Sequence, residues 1–240
     1  MSTAQSPLLR VQDLHAHYGK SHILHGVSFE VQQGEVLSLL GRNGTGRSTT
    51  LKAIMGMLTP TSGNVVLDGQ ELAGKPAYQI ARAGIAYVPE ERDIFANLTV
   101  DENLLMGMQP KRANAPVWNV EQMFDYFPRL KERRNTLAGN LSGGEQQMLT
   151  ICRSLLGNPR LILVDEPTEG LAPKIVEVVG EALADINKRG VSIILVEQKL
   201  TIAMKISSSV CVLGHGTVVF RGTPDALLGD AQLLKNWLAV

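Results

Sequence analysis

The sequence has few residues that could build a disulfide framework or a metal centre. Only two of its 240 residues are cysteines, and neither Cys152 nor Cys211 stands in a metal-like spacing. We therefore expect buried thiols in a reducing compartment. A metal site formed by His15, His17, His22 and His25 is the alternative to weigh. His15 and His17 alternate as the outward residues of a strand do, however, and no cysteine or carboxylate completes a ligand set. Solvated strand faces are expected there rather than a metal site.

An excess of one charge and a long apolar run are also absent. Lys+Arg and Asp+Glu both number 23, so no basic surplus points to a nucleic-acid partner. Apolar runs such as VSIILV at 191–196 are far shorter than the roughly 20 residues that span a bilayer. The opening MSTAQSPLLR has no signal-peptide pattern. With 44% apolar residues, the chain is expected to be globular, and neither secreted nor integral to a membrane.

Short β-like runs alternate with helical stretches, which predicts an α/β layered fold. The runs 160–166 and 191–197 are almost continuously apolar, as strands buried on both faces of a parallel sheet are. Between them, PKIVEVVGEALADINKRG repeats apolar residues with a period near 3.6 and stops at Gly190, as a helix does. Strands are expected at 8–17, 23–31, 35–40, 64–68, 85–89, 160–166, 191–197 and 209–220.

Two regions depart from that alternation. VQDLHAHY and ILHGVSFEV alternate polar with apolar residues across a short GKSH turn, which predicts an N-terminal antiparallel β subdomain. Residues from about Val100 to Leu156 are expected to be mostly helical. No linker divides the chain, so we expect a single domain over 1–240 with a helical subdomain inserted at about 96–156.

The segment GRNGTGRST at 41–49 follows a predicted strand and precedes the helical stretch LKAIMGML. Strand, Gly-rich loop and helix form a phosphate cradle, in which Gly41, Gly44 and Gly46 let backbone amides face the β- and γ-phosphates. Ser48 supplies a hydroxyl for Mg²⁺. The pattern is that of a P-loop except that Arg47 stands where Lys is expected. A Gly-rich turn that binds nothing is the alternative.

LILVDEP at 161–167 is an apolar strand that ends in two adjacent carboxylates. At the C-terminal end of such a strand, Asp165 is placed to hold Mg²⁺ and Glu166 to polarise the attacking water. An ordinary strand exit is the alternative. Together with the Gly-rich loop, the pair predicts a site that hydrolyses ATP with Mg²⁺.

LSGGEQQ at 141–147 opens a predicted helix, with Ser142 as N-cap and with Gly143 and Gly144 allowing close backbone approach to phosphate. With this motif the sequence resembles the ABC ATPases, from about Leu8 to Phe220 and in the same order throughout. The resemblance implies a P-loop NTPase core. It also implies that the LSGGEQQ signature of one subunit covers the ATP held by another.

The resemblance implies further roles. Tyr18 matches the aromatic residue on which adenine stacks, with a core aromatic as the alternative. Glu90, in YVPEERDIF, stands at the Q-loop glutamine and is expected in catalysis and in the metal shell, while Gln198, in LVEQ, replaces the switch histidine. Thr168–Ala172 matches the D-loop at the dimer interface. Nucleotide contacts are thus expected from Tyr18, Gly41, Arg42, Asn43, Gly44, Thr45, Gly46, Arg47, Ser48, Thr49, Ser142, Gly143 and Gly144.

At these positions the sequence resembles the uptake ATPases for branched-chain and other hydrophobic amino acids and their urea-carrying relatives. The expected function is therefore ATP hydrolysis for an importer at the cytoplasmic face of the inner membrane. Two permease subunits, a second ABC ATPase and, indirectly, a periplasmic solute-binding protein are the implied partners. The alternatives are a urea or short-chain amide importer, a lipopolysaccharide-type exporter, a non-transport ABC protein acting on ribosomes or DNA, and an ATP-binding module that does not hydrolyse.

Overall fold

The structure is a computed structural model that describes residues 6–238, so that part of the N-terminal segment considered above lies outside the described residues. The chain divides into a first unit, up to Ala83 and from Ser192 onward, and a second unit, Gly84–Val191. The strands are β1 (Leu9–Tyr18), β2 (Ser21–Val31), β3 (Val36–Leu40), β4 (Ser62–Leu67), β5 (Gln70–Glu71), β6 (Ile85–Val88), β7 (Leu161–Asp165), β8 (Ser192–Val196), β9 (Ser209–Gly214) and β10 (Thr217–Gly222).

The helices lie between these strands and after the last of them. None in the described part of the chain is long and apolar enough to cross a membrane. They are α1 (Arg47–Ile54), α2 (Ala77–Ala83), α3 (Val100–Gly107), α4 (Val120–Tyr126), α5 (Pro128–Glu132), α6 (Gly143–Leu155), α7 (Pro173–Lys188), α8 (Leu200–Ile206), α9 (Pro224–Leu228) and α10 (Ala231–Trp237), with a 3₁₀ turn at Ala138–Asn140.

The first unit contains the predicted antiparallel subdomain. Strands β1 and β2 form a hairpin whose register runs from Tyr18 opposite Ser21 to Leu9 opposite Val31, and the sheet order is β2-β1-β4-β5. Buried and exposed residues alternate over much of β1, because one face of such a sheet packs on the core. The predicted hairpin is confirmed, and the two-residue strand β5 adds to it.

The first unit also contains a group of mainly parallel strands. Strand β3 lies between β8 and β9, parallel to both, and every residue of β3 and β8 is buried. The single strand expected over 209–220 is wrong. His215 and Gly216 adopt φ values of 48° and 76°, and the chain turns there into an antiparallel pair, β9 and β10.

The second unit places β6 parallel to β7, with helices α3 to α6 along the chain between them. The helical expectation for this stretch is confirmed in outline. Within it, the run NVEQMFDYFPRLKERR forms two helices, α4 and α5, because Pro128 lacks the N–H that a continuous helix needs and instead starts α5. Helix α7 ends at Lys188, just before Gly190 with φ 97°, as predicted.

The early histidines are not separate solvated side chains. His22 stacks on His17 with ring centroids 4.0 Å apart and lies 3.9 Å from the ring of His25. Its Nε2 is 3.1 Å from Nδ1 of His15. Register shifts in the β1–β2 pairing bring the four rings together on the hairpin. Within residues 6–238, no group of three or more His, Cys, Asp or Glu is arranged to hold a metal ion.

Candidate active site

The Gly-rich loop after β3 has the backbone of a cradle. Gly41, Gly44 and Gly46 have φ values of 150°, 80° and 100°, a region that residues with a Cβ rarely adopt. A Cβ at Gly41 would lie 2.5 Å from the carbonyl oxygen of Leu213, and one at Gly46 would lie 2.7 Å from Leu24 Cδ2. At Gly44 nothing lies within 4 Å, so there the backbone conformation alone demands glycine.

Helix α1 begins at Arg47, inside the loop motif, and not after it at Leu51 as the sequence pattern predicted. Gly46 stands at the N-cap, so no side chain caps the helix, and its first turn has no acidic residue. Helices α3, α4 and α6, by contrast, all have a capping box. An N-terminus of this kind favours an external anion, because its backbone N–H groups carry partial positive charge.

The side chain of Arg47 lies inside the loop and is only 5% exposed. Its Nη2 donates to Asn43 Oδ1 at 3.1 Å, and its Nη1 donates to the main-chain oxygen of Glu197 at 3.1 Å. The guanidinium therefore links the Gly-rich loop to the segment that follows β8.

That segment carries Gln198. Glu197 is 2% exposed, and its carboxylate accepts hydrogen bonds from the backbone N–H of Gln198 at 2.9 Å and of Lys199 at 3.2 Å. Gln198 itself is exposed. The buried carboxylate thus fixes the backbone from which Gln198 projects.

Tyr18 is the last residue of β1, and 49% of it is exposed. The alternative that it is a core aromatic is therefore wrong. Its exposed ring face suits stacking on a planar base.

In the second unit, β7 ends at Asp165, which is 1% exposed. The hydroxyl of Tyr87, in β6, donates to Asp165 Oδ2 at 3.0 Å. Burial, together with the neighbouring charge of Asp165, raises the pKa of Tyr87 far above its usual range, so this hydroxyl remains a donor. The parallel pairing of β6 with β7 places the donor beside the carboxylate.

Glu166 follows with φ 43° and is 7% exposed. A left-handed backbone at a residue other than glycine costs about 1–3 kcal/mol, and such strain concentrates at functional positions. The backbone N–H of Glu169 donates to the carbonyl of Glu166 at 3.2 Å, and Gly170 has φ 67°. A tight turn therefore holds Glu166 and leads into the Thr168–Ala172 segment.

Glu90 is exposed and lies just after β6. Two and three residues later, Arg92 and Asp93 have left-handed φ values of 68° and 46°. Thr150 donates its hydroxyl to the carbonyl of Arg92 at 2.6 Å, and the Arg92 guanidinium lies against Gly143. Helix α6 thus shapes the loop that carries Glu90.

Ser142 is confirmed as the N-cap of α6. Its hydroxyl accepts from the Glu145 N–H at 3.3 Å, and the Glu145 carboxylate accepts from the N–H and the hydroxyl of Ser142, both at 2.8 Å. Burial raises the pKa of Glu145, but these hydrogen bonds and the charge of Arg133 offset burial and hold it below its usual range. A Cβ on Gly143 would lie 3.0 Å from Arg92 Nη1, and one on Gly144 would lie 3.1 Å from Ile175 Cγ2. Packing inside the second unit therefore favours glycine at both positions, in addition to the close approach to phosphate expected from the sequence.

Sequence reasoning did not assign the contacts of three side chains near the predicted residues: Tyr87, Arg92 and Glu197. All three stand in the motifs YVPEERDIF and LVEQ, which were used only for their resemblance, and no spacing rule predicts their partners. The contact of Glu145, by contrast, could have been predicted from the sequence, because Ser and Glu three residues apart at the start of a helix indicate a capping box.

The predicted site residues belong to both units. Tyr18, the Gly-rich loop and Gln198 lie in the first unit, whereas Glu90, the signature glycines, Asp165 and Glu166 lie in the second. The metal donors expected from the sequence are all oxygens, which fits Mg²⁺, an ion that uses one or two carboxylates and completes its shell with phosphate and water. A glycine cradle that opens a helix after a buried parallel strand is typical of the P-loop class of nucleotide-binding proteins, whose motif residues 41–48 match except at Arg47.

Comparison with known proteins narrows this class. Residues 24–169 match the family described as ABC transporter. The chain is 41% identical to the high-affinity branched-chain amino acid transport ATP-binding protein BraG of Pseudomonas aeruginosa, over 96% of this chain and 99% of that protein. It is 29% identical to the lipopolysaccharide export system ATP-binding protein LptB of Haemophilus influenzae, over 96% of this chain and 97% of that protein. A solved nucleotide-free ATP-binding cassette of an ABC transporter has the same fold, with a TM-score of 0.83 and 24% identity. The match covers 98% of this chain and 99% of that chain.

The chain belongs to the ABC transporter family and is an ATP-binding, ATP-hydrolysing subunit.

Proposed function

We propose that the chain energises the uptake of branched-chain or other hydrophobic amino acids across the cytoplasmic membrane. The observation that carries this proposal is the 41% identity with a branched-chain amino acid transport ATPase along nearly the whole chain. Glu90 at the Q-loop position and Gln198 at the switch position favour the same subfamily. The 29% identity with a lipopolysaccharide export ATPase makes an exporter the second candidate. A urea or short-chain amide importer is a third.

In the proposed site the backbone amides of residues 41–49 bind the β- and γ-phosphates of ATP, and Tyr18 stacks on the adenine ring. The left-handed glycines and the uncapped start of α1 support this assignment. Arg47 contributes charge through a guanidinium, which pairs well with phosphate oxygens. A base stacked on an aromatic ring adds about 1 kcal/mol to binding.

Hydrolysis is assigned to Ser48, Glu90, Asp165, Glu166 and Gln198. Ser48, Asp165 and Glu90 would hold Mg²⁺, which neutralises charge on the phosphates when bound. Glu166 accepts a proton from the attacking water, and the amide of Gln198 donates to the γ-phosphate. The strained backbone of Glu166 supports its role, because a fixed carboxylate orients water better than a mobile one.

The subunit is proposed to act in a dimer of ABC ATPases, identical or different. Ser142, Gly143 and Gly144 would then contact the ATP held by the partner subunit, with the Thr168–Ala172 segment at the interface. The two units would act as one ATP-binding domain over 1–240, with the helices at about 96–156 as an inserted subdomain. Two permease subunits would anchor the dimer at the inner face of the membrane, and a periplasmic solute-binding protein would deliver the substrate.

The permease contact is proposed around the Q-loop and α3. Phe95 is 46% exposed, and Leu105 and Met106 of α3 are 60% and 59% exposed, so large apolar side chains face solvent there. Core packing does not account for Phe95. Ile94 and Phe95 are expected to contribute to this contact more than Arg92, whose guanidinium lies against Gly143.

Glu166→Gln tests the hydrolytic assignment. The variant is expected to bind ATP as the parent does, to lose nearly all phosphate release and to accumulate as an ATP-bound dimer in size-exclusion chromatography. Glu181→Gln, which changes an exposed glutamate of α7 in the same unit, serves as the matched control. Phosphate release at the parental rate in Glu166→Gln would reject the general-base role.

The direction of transport and the transported substrate are tested with the intact transporter. The chain is to be co-purified with the membrane proteins that retain it, and the complex reconstituted in liposomes with its solute-binding protein. ATP-driven accumulation of radiolabelled leucine, without accumulation of urea, is the expected result. Recovery of a lipid-extracting complex with no solute-binding protein would favour the exporter, and urea accumulation would favour the third candidate.

A further inference from the structure

The hydrogen bonds of the Arg47 guanidinium indicate a role in addition to its positive charge. Its Nη1 donates to the main-chain oxygen of Glu197, 150 residues away, and its Nη2 donates to the Asn43 side chain, four residues earlier. Both distances are 3.1 Å, and the side chain is 5% exposed. One side chain thus spans the Gly-rich loop and the segment after β8, and both lie in the first unit.

The oxygen that accepts from Arg47 belongs to the peptide group joining Glu197 to Gln198. The N–H of that same peptide donates to Glu197 Oε1 at 2.9 Å. A peptide group is planar, so holding its C=O on one edge and its N–H on the other fixes its orientation. The N–H of the next peptide, that of Lys199, donates to the same Glu197 oxygen at 3.2 Å. The backbone is therefore held on both sides of the Gln198 Cα, and with it the direction in which the Gln198 side chain leaves the backbone.

Arginine suits this bridge and lysine does not. A guanidinium presents N–H donors in a rigid planar fork, so two nitrogens reach two acceptors in different directions at once. An ammonium offers its donors from a single nitrogen. A lysine here would keep one positive charge near the phosphates but would not hold both Asn43 and Glu197.

We propose that Arg47 is a positioning residue for Gln198: it couples the phosphate cradle to the switch segment, and this coupling is why arginine replaces lysine in this chain. The inference rests on the proposed function, in which Gln198 assists hydrolysis. Replacing Arg47 with the ordinary P-loop lysine is therefore expected to lower turnover in this chain.

The first test is Arg47→Lys, measured for ATP affinity by fluorescence titration and for kcat and KM by phosphate release with the permease partners present. ATP affinity is expected to stay within about twofold, and kcat to fall about tenfold because a catalytic group is misplaced. Arg221→Lys is the matched control, since Arg221 also donates to a main-chain oxygen of the first unit, that of Glu30 at 2.8 Å, outside the site. Its kcat is expected to be unchanged.

The second test separates positioning from a general structural effect. If Arg47 acts through Gln198, Arg47→Lys costs no further activity in a Gln198→Ala background, so the two effects do not multiply. Glu197→Ala removes the other support of the same peptide and is expected to lower kcat with little change in ATP affinity. Glu197→Gln, which keeps an oxygen acceptor, is expected to keep most of the parental kcat.

Thermal unfolding of each variant verifies that the fold persists. The proposal is overturned if Arg47→Lys turns over ATP as fast as the parent, or if the effects of Arg47→Lys and Gln198→Ala multiply. Failure of the proposed function has a different signature, because Gln198→Ala would then keep the parental kcat.

Discussion

The hydrogen bond from Tyr87 to Asp165 allows a sharp test of how the proposed Mg²⁺ carboxylate is held. Tyr87→Phe removes only the hydroxyl, which lies 3.0 Å from Asp165 Oδ2, and leaves the ring in β6. Asp165 is 1% exposed, so water does not easily replace the lost donor.

The expected cost follows from that burial. A hydrogen bond to a charged group contributes about 1.5–3 kcal/mol, so the free energy of unfolding is expected to fall by about 2 kcal/mol. For a chain of this size, that corresponds to a drop in Tm of about 4–8 °C. Partners that orient a metal-binding carboxylate typically change metal affinity about 10-fold or more, so the Mg²⁺ concentration at half-maximal activity is expected to rise by at least that factor.

Tyr126→Phe is the control. Tyr126 donates to Asp185 at 2.6 Å in the same unit, but Asp185 is 46% exposed and has no place in the proposed site. This variant is expected to lose about 1 kcal/mol of stability and to keep the parental Mg²⁺ dependence. Differential scanning calorimetry and a Mg²⁺ titration of phosphate release measure the two quantities. Equal Mg²⁺ curves for parent and Tyr87→Phe, with Tm lowered, would show that Tyr87 is structural only.

Three further predictions concern other parts of the site. Gln198→His is expected to add an acidic fall in kcat near pH 6.5, which the parent lacks because an amide has no proton to gain there; identical pH profiles would count against a role at position 198. Gly44→Ala is expected to cost about 1–2 kcal/mol from backbone strain alone and to weaken ATP binding measurably, whereas Gly46→Ala, which also meets Leu24, is expected to lose more stability in chemical denaturation. Phe95→Glu is expected to lower recovery with permease-containing membranes while ATP affinity stays constant, and undiminished recovery would remove Phe95 from the docking surface.

Much of the proposed site could be predicted from local spacing. Glycines at 41, 44 and 46 and the strand that ends at Asp165 are short patterns whose chemistry is contained within a few residues. The same holds for the N-cap at Ser142, where the residue and its partner Glu145 are three positions apart. Such features depend on backbone geometry over one turn or one strand, and neighbouring residues in the chain largely determine that geometry.

The start of α1 and the division of 209–220 show where local patterns stop being sufficient. The loop motif and the first helical turn share residues, so the apolar period begins later than the helix itself. In 209–220 the apolar residues stand on both sides of Gly214, His215 and Gly216. Glycines within a strand pattern indicate either a bulge or a turn, and only the left-handed φ values of His215 and Gly216 show that the chain turns here.

The contacts that orient the chemical groups were decided only by the tertiary structure. Arg47 and the Glu197 carbonyl are 150 residues apart, and Tyr87 and Asp165 are 78 apart. Parallel strands bring such positions together through crossover connections, and the register that results depends on packing along the whole strand. The sequence by itself determined which groups are available for ATP chemistry. The pairing of strands determined which donor faces each carboxylate and carbonyl, because that pairing sets distances between residues far apart in the chain.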